Sequence, residues 1–251
     1  MLHFKPELPA GWDACHLTET ASTMCALREL PEQTAPFYLL TTDFQTAGRG
    51  QRGTHWEAEA GQNLLFSFRF YPTFLRAAEQ FALSEALALA VVYAVEPLGV
   101  EAKVKWPNDI YVGGKKLCGM LLEHTLTGKT IAKTLTGVGV NVNQLSFRSD
   151  APNPVSLRQL LGRSLDRAAL LSEIILQFDT LYRDLERNGT TRLHAAYLQH
   201  LFRRDGFHPY RDAQGGFEAR IVDVSPAGLL LLELPDGSQR TYAFKEVSAV
   251  I

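Results

Sequence analysis

Three short stretches carry residues whose types and spacing could do chemistry. FQTAGRGQRGTHW (44–56) holds Gly48, Gly50 and Gly53 as G-x-G-x-x-G, with Arg49, Gln51 and Arg52 among them and Gln45 just before. Glycines let backbone N–H groups approach a ligand closely, and arginines add fixed positive charge and forked donors. The guest implied is an anion such as a phosphate or carboxylate. Trp56, just past the loop, offers a flat surface on which a base could stack. As a bare pattern this is the dinucleotide fingerprint, but that fingerprint needs a helix opening at its last glycine. Here Thr54, His55 and Trp56 lead through EAEAGQN into another strand. The competing reading is a hairpin loop with solvated arginines and a core tryptophan.

The second stretch is KVKWPNDIYVGGKKLCGMLLE (103–123). Pro107 stops strand pairing, which places Asn108 and Asp109 at a turn between strand segments. A hairpin at Gly113-Gly114 returns the chain into Lys115 and Lys116. Neighbouring strand residues point to opposite faces, so one lysine alone can face a site. Gly119, three residues on, would let a ligand lie against the strand. A solvated lysine pair is the bland alternative. The third stretch is Ser22-Thr23, hydroxyls that either cap a helix or bind a ligand carbonyl beside its free N–H groups.

The elements that must position these residues follow from periodicity. Ser22 opens a helix over TMCALREL that ends near Pro31, and FYLLTTDF (37–44) is a strand. In LLFSFRF, Leu64, Phe66, Phe68 and Phe70 alternate with Leu65, Ser67 and Arg69, the pattern of a strand with one buried face. A helix from about Arg76 to Val95 follows, closed by Pro97 and Gly99, then short strands with hairpin signals at 113–114 and 127–129. VGVNVN (138–143) puts Val138, Val140 and Val142 in the core and Gly139, Asn141 and Asn143 toward something polar. SFRSDAPNPVS is loop, and two helices span about 166–187 and 190–203. From Gly206, GFEARIVDV, GLLLLEL and QRTYAF are short strands separated by Pro-Ala-Gly and Pro-Asp-Gly turns, read as a small β-barrel. The fold class is α+β with a β appendage, divided as 1–204 and 205–251.

Composition narrows the function. The 251 residues are 46% hydrophobic and 21% charged, ordinary values for a soluble chain. The net charge of −2 argues against general nucleic-acid binding. Cys15, Cys25 and Cys118 form no C-x-x-C pair, so neither a disulfide framework nor a zinc knuckle is implied, and a reducing cytoplasm fits. No signal peptide is visible, and ALSEALALAVVYAV (82–95) is shorter than a membrane span and reads as a buried helix.

QTAGRGQRGTHW, KWPNDIYVGGKKLCGMLLE and GVGVNVN occur in this order at these separations, and together they closely resemble the motifs of biotin protein ligases. The resemblance runs from about Ser22 to Asn143, and the β tail suits that family's small C-terminal domain. It implies a mixed-sheet catalytic domain related to class II aminoacyl-tRNA synthetases, with a C-terminal SH3-like barrel. It also implies an enzyme that uses ATP and Mg²⁺ to activate biotin as biotinyl-5′-AMP, then transfers it to a lysine of a biotin carboxyl carrier protein or domain. By resemblance, Ser22, Thr23 and Gln45 hold the ureido ring, and the loop with Gly48, Arg49, Gly50, Gln51, Arg52 and Gly53 orders over biotin and the adenylate phosphate. Trp56 stacks near adenine, Asn141 reads its edge, and Asn108 belongs to the adenylate site. Lys116 contacts the biotin carboxylate and the α-phosphate, with Gly119 beside it, and Asp109 guides the incoming lysine. Lys116, Asp109 and Arg49 are thus the implied catalytic residues, and no dedicated protein metal site is implied.

The chemistry agrees with those roles. Joining a carboxylate to ATP brings two anions together, so cations must be supplied. The mixed anhydride would hydrolyse in water, which gives a glycine-rich lid a use. Three positions depart from the family pattern: Met24 and Gln51, where asparagine and arginine are usual, and Cys118, where alanine is common. A lipoate or octanoate ligase shares the fold, but its R-R-x-x-G-G-G motif and following His-Asp pair are not found. Only 21 residues precede Ser22, too few for a DNA-binding helix-turn-helix, so no nucleic-acid partner is expected. No membrane association is expected either, and the chain is a monomer or homodimer.

Overall fold

The computed structural model describes residues 4–32, 34–48, 50, 55–148 and 153–251. Its centre is a seven-stranded mixed sheet in the order β1-β2-β3-β7-β6-β5-β4. These strands are β1 (Trp12–Thr20), β2 (Phe37–Gln45), β3 (Leu64–Phe70), β4 (Ala102–Lys105), β5 (Asp109–Val112), β6 (Lys115–Thr127) and β7 (Thr130–Val140). The β1–β2 pair is parallel and the remaining pairs are antiparallel. Both expected hairpins, β5–β6 and β6–β7, are present.

The long helices α2 (Phe81–Val95), α4 (Arg167–Asn188) and α5 (Thr191–Gln199) cluster together, α2 packing on both α4 and α5. The Phe66, Phe68 and Phe70 side chains of β3 reach that layer, with Phe68 and Phe178 of α4 at 4.8 Å between ring centroids. Aromatic pairs of this kind add about 0.5–1.5 kcal/mol each beyond area burial. Thirteen of the 15 residues of α2 are buried, as the sequence suggested for a core helix.

Helix α1 (Thr23–Glu29) contacts β2, β3 and β7. It explains a correction: β3 is buried on both faces, not one. Ser67 donates to Thr23 of α1 at 2.8 Å, and the buried Arg69 guanidinium donates to Pro31 O at 3.1 Å beyond the helix end. Strand β1 was not legible, because only Trp12 in WDACHLTET is buried and its charged residues suit an edge. The last helix is shorter than expected, and the helix expected from Arg76 begins at Phe81 after a 3₁₀ turn over Ala77–Glu79. A short helix, α3 (Leu157–Leu161), carries a reciprocal Ser156–Gln159 capping box.

A second, antiparallel sheet of five strands is formed by β8 (His208–Asp212), β9 (Gly215–Val224), β10 (Leu230–Glu233), β11 (Gln239–Tyr242) and β12 (Val247–Ala249). Its β9–β10 turn is seated on the first sheet's side of the molecule: Phe81 N donates to Pro226 O at 3.2 Å and Trp106 Nε1 to Gly228 O at 3.0 Å.

Candidate active site

Asp109 is the first residue of β5, not a turn residue; the turn is the preceding Trp106-Pro107-Asn108, with a cis bond before Pro107. Strict alternation along β6 would put Lys116 and Gly119 on opposite faces. The register against β5 slips instead: Tyr111 opposes Lys116, while Ile110 opposes Cys118. Leu117 is thereby the extra residue of a bulge, and bulges re-aim side chains. Lys116 and Gly119 end on the same side, with the Lys116 Cε 3.2 Å from where a Gly119 Cβ would sit. Lys116 Nζ meets Asp109 Oδ1 at 2.7 Å, while Lys115 points away and is exposed. Asn108 anchors the turn, its side-chain amide donating to Met120 O and its own carbonyl accepting from Met120 N at 3.0 Å.

At the α1 end a hydroxyl–amide chain fixes a polar corner. Ser67 Oγ donates to Thr23 Oγ1, which donates to Gln45 Oε1 at 3.0 Å; Thr23 N also donates to Gln45 Oε1, at 2.7 Å. The Gln45 oxygen is thus committed to Thr23, leaving its NH₂ as the donor end. Ser22 occupies the N-cap position in extended conformation and is buried, but its side chain makes no capping bond.

The floor between these points is bare backbone. Gly119 and Gly139 are cross-strand partners, and the Trp56 indole lies on them: a Cβ on Gly139 would fall 2.4 Å from Trp56 Cε2, and one on Gly119 3.0 Å from Cζ3. No other residue permits that approach. Trp56 thus borders the cavity, with Lys116 Nζ 5.7 Å from its ring centroid. Met24 lies likewise on Gly137, its Sδ 2.6 Å from a Cβ there. The Gly48 carbonyl accepts from Trp56 N at 3.1 Å, and Gly50 borders the cavity. Arg49, Gln51, Arg52 and Gly53 lie outside the described residues.

Strand β7 ends at Val140, earlier than the sequence pattern suggested. Asn141 follows it, buried, its Nδ2 donating to Val155 O at 3.2 Å and Lys116 O at 3.4 Å. Its Oδ1 is buried and finds no partner among the described residues. Asn143 does not face the site: its amide closes two 2.9 Å bonds with the Leu165 backbone.

A cavity of about 980 Å³ joins these groups, running past Thr23, Gln45, Trp56, Lys116, Asp109 and Asn141. Sequence reasoning missed its far wall, which Phe202, Tyr210, Ile221, Leu230 and Phe244 build from around and within the second sheet. It also missed Lys105, half-buried beside the Tyr111 ring at 5.1 Å, where burial pulls the ammonium below its usual range against the opposing pull of Asp109. The one available signal was its place in K-x-K-W-P-N-D, directly opposite Asp109 in register. Among the described residues no three His, Cys, Asp or Glu side chains come together as a metal seat. The arrangement offers a polar corner, a central cation beside a carboxylate, an aromatic face and a buried acceptor within one cavity.

Comparison with known proteins accords with this geometry. Residues 17–141 match the model of the biotin/lipoate A/B protein ligase family. The bifunctional ligase/repressor BirA of Bacillus spizizenii is 32% identical over 231 residues, covering 89% of this chain and 70% of the relative. The biotin–[acetyl-CoA-carboxylase] ligase of Paracoccus denitrificans is 29% identical, covering 89% and 95% of the two chains. In fold the chain matches the biotin protein ligase of Aquifex aeolicus solved with biotin and ATP, at a TM-score of 0.78 and 24% identity over 94% of this chain and 97% of that one. A mixed sheet with a C-terminal antiparallel sheet, the glycine-floored cavity and these matches together show that the chain belongs to the biotin/lipoate A/B protein ligase family, among its biotin protein ligases.

Proposed function

We propose that this chain activates biotin with ATP to biotinyl-5′-AMP and transfers it to a lysine of a biotin carboxyl carrier domain. The observation that carries the reading is the Lys116–Asp109 pair, 2.7 Å apart in a cavity with the Thr23–Gln45 corner at one end and Trp56 and Asn141 beside it. A urea ring presents a carbonyl to donors, and the Gln45 NH₂ and Ser22 hydroxyl supply them. Lys116 then stands where a carboxylate and an α-phosphate must approach. Its charge is most valuable as negative charge builds on the reacting oxygens.

The nucleotide would place its base against Trp56, with Asn141 Oδ1 accepting from an exocyclic amine. Asn108 supports this part by holding its loop to Met120. Arg49, Arg52 and Gln51 are proposed to close over the adenylate. Carboxylate attack on the α-phosphorus forms the mixed anhydride and expels diphosphate. In the second step a lysine amine attacks the anhydride carbonyl, an amide forms and AMP leaves with the electron pair. Asp109 is placed to receive the amine's proton once Lys116 has turned to the phosphate. Magnesium would arrive with ATP and neutralise charge on the triphosphate. Three free cysteines are consistent with reaction in a reducing cytoplasm. We place the division between the ligase part and the C-terminal barrel at 204/205.

The test is incubation with ATP and either biotin or lipoate, followed by mass spectrometry for the acyl-adenylate. Biotinyl-AMP, and later a biotinylated carrier lysine, is expected; lipoyl-AMP in its place would overturn the reading.

A further inference from the structure

The second sheet supplies the far wall of the cavity, so something must hold it there. The two sheets share one hydrophobic core with a Trp106–Phe244 ring contact, and two hydrogen bonds lie at the β9–β10 turn, on Phe81 and Trp106. Gly228, at φ 89°, sits so close to the Phe81 ring that a Cβ would fall 2.7 Å from its Cδ2. A further contact is ionic. His194 of α5 reaches Glu85 of α2 through Nδ1 at 2.7 Å and Asp223 of β9 through Nε2 at 2.8 Å. Asp223 is two residues from Ile221, which lines the cavity.

The three groups are unequal. Glu85 is buried, with a side-chain exposure of 4%, whereas Asp223 is exposed at 47%. Tyr197 of α5 also faces Glu85, fully buried, and its hydroxyl finds no partner among the described residues. A carboxylate inside α2 is costly unless a donor stays on it.

We propose that His194 is a positioning residue for the ligation reaction, a charged pin that holds the C-terminal sheet against the catalytic sheet so that the outer wall of the cavity stays in place. The proposal rests on the ligase reading for its effect on catalysis, though not for the pin itself.

A doubly protonated ring donates to both carboxylates at once. The Glu85 hydrogen bond, then the Glu85 charge and Asp223, raise the His194 pKa to about 9 against the opposing effect of burial. Burial also raises the Glu85 carboxyl above its usual range. The folded pKa of His194 exceeds the unfolded one, so the stabilisation is complete below the unfolded value and is lost as pH rises through about 9. On deprotonation the neutral ring retains one N–H. Glu85 cannot turn to water and Asp223 can, so the retained proton stays on Nδ1 and the bond that opens is the one to β9. Alkali therefore loosens the wall without unfolding the core.

The experiment uses the full chain as wild type, His194→Ala and Asp223→Asn. Amide hydrogen exchange across 221–230 is read against pH, with β3 as the internal reference for base-catalysed exchange. Wild type should lose protection with a midpoint near the His194 titration, and Asp223→Asn should move that midpoint to lower pH, because one anion facing the ring is gone. At neutral pH the KM for ATP or for the carrier should rise at least about tenfold in His194→Ala, the lower end of what a lost hydrogen bond between charged groups carries. The Kd for biotin should stay within about twofold, since that corner is held by α1. Should His194→Ala fail to fold, Asp223→Asn, altered on an exposed side chain, carries the test. Protection in 221–230 independent of pH, an unmoved midpoint in Asp223→Asn, or equal losses for biotin and ATP would overturn the proposal. A chain that shows the exchange profile yet makes no biotinyl-AMP would refute the ligase reading and leave the pin standing.

Discussion

Lys116 Nζ and Asp109 Oδ1 lie 2.7 Å apart across two strands whose register slips between them. The slip is what matters. Without the bulge at Leu117, Lys116 would share a face with the core residue Cys118, and the cation would be lost from the cavity. A partly exposed ion pair contributes about 0–1 kcal/mol to folding, so stability does not account for building it. On the proposed reading, the pair exchanges partners when the substrates bind.

Changing Lys116 to Ala should therefore reduce adenylate formation at least about a hundredfold, the scale of removing one donor aimed at developing charge. Lys115→Ala, altered on the exposed face, should leave it within about twofold, as distant surface changes do. The measurement is single-turnover formation of the acyl-adenylate. Equal losses from both lysines would contradict the assignment of faces.

Trp56 should behave as a nucleotide platform. Trp56→Ala is expected to weaken ATP binding by about 1–3 kcal/mol, the range for a base stacked on an aromatic side chain, while biotin affinity changes less. The glycine floor provides an independent check. Gly139→Ala would place a methyl 2.4 Å from Trp56 Cε2, so the indole must lift off the sheet. Calorimetric titration should show the same nucleotide defect in both variants; a Gly139→Ala protein with normal ATP affinity would show that the position of the ring is immaterial.

How much of this was legible depended on range. Val138, Val140 and Val142 were assigned correctly to the core from period-two alternation alone. The Thr23–Gln45 bonds span 22 residues and were reachable only through the family resemblance. Two features had no sequence signal. The Leu117 bulge leaves the local pattern unchanged, since Lys, Leu and Cys alternate acceptably in either register. The cavity's far wall comes from Tyr210, Ile221 and Phe244, about a hundred residues beyond Lys116, and their apolar character says only that they are buried somewhere. Asn143 shows the converse error. Alternation put it on the same face as Asn141, but the strand had already ended, and the Leu165 backbone satisfied its amide.

Cys118 should be chemically silent. It is fully buried, and that burial, with Asp109 nearby, pushes its thiol far above the usual range, so almost no thiolate forms. Cys15 and Cys25 are only partly covered. A thiol reagent on the native protein should titrate at most those two, with Cys118 appearing after denaturation, and Cys118→Ala should retain adenylation. Rapid native labelling of Cys118, or loss of activity tracking it, would show a strand open to solvent.

Asn141 offers the sharpest test of base recognition. Its Nδ2 is committed to the Val155 and Lys116 carbonyls, so the amide cannot turn over without breaking both bonds. What it presents is therefore Oδ1, a buried acceptor without a partner among the described residues. An acceptor fixed in this way favours a base carrying an exocyclic amine over one carrying a carbonyl at the same place. The wild-type enzyme should use ATP well and inosine triphosphate poorly. The wrong base leaves buried polar groups unpaired, which costs about 1–3 kcal/mol. That cost corresponds to roughly 5- to 150-fold in relative kcat/KM. Asn141→Ala should lower activity with ATP and compress that ratio toward unity, because neither nucleotide then meets an acceptor. Asn141→Asp keeps an acceptor but sets a carboxylate against two carbonyls, so it should lose stability as well as discrimination. Measuring kcat/KM for both nucleotides in the three proteins separates the outcomes. A ratio unchanged in Asn141→Ala would mean that the base is read elsewhere, and that Asn141 serves only to tie the 153–155 segment to the start of β6.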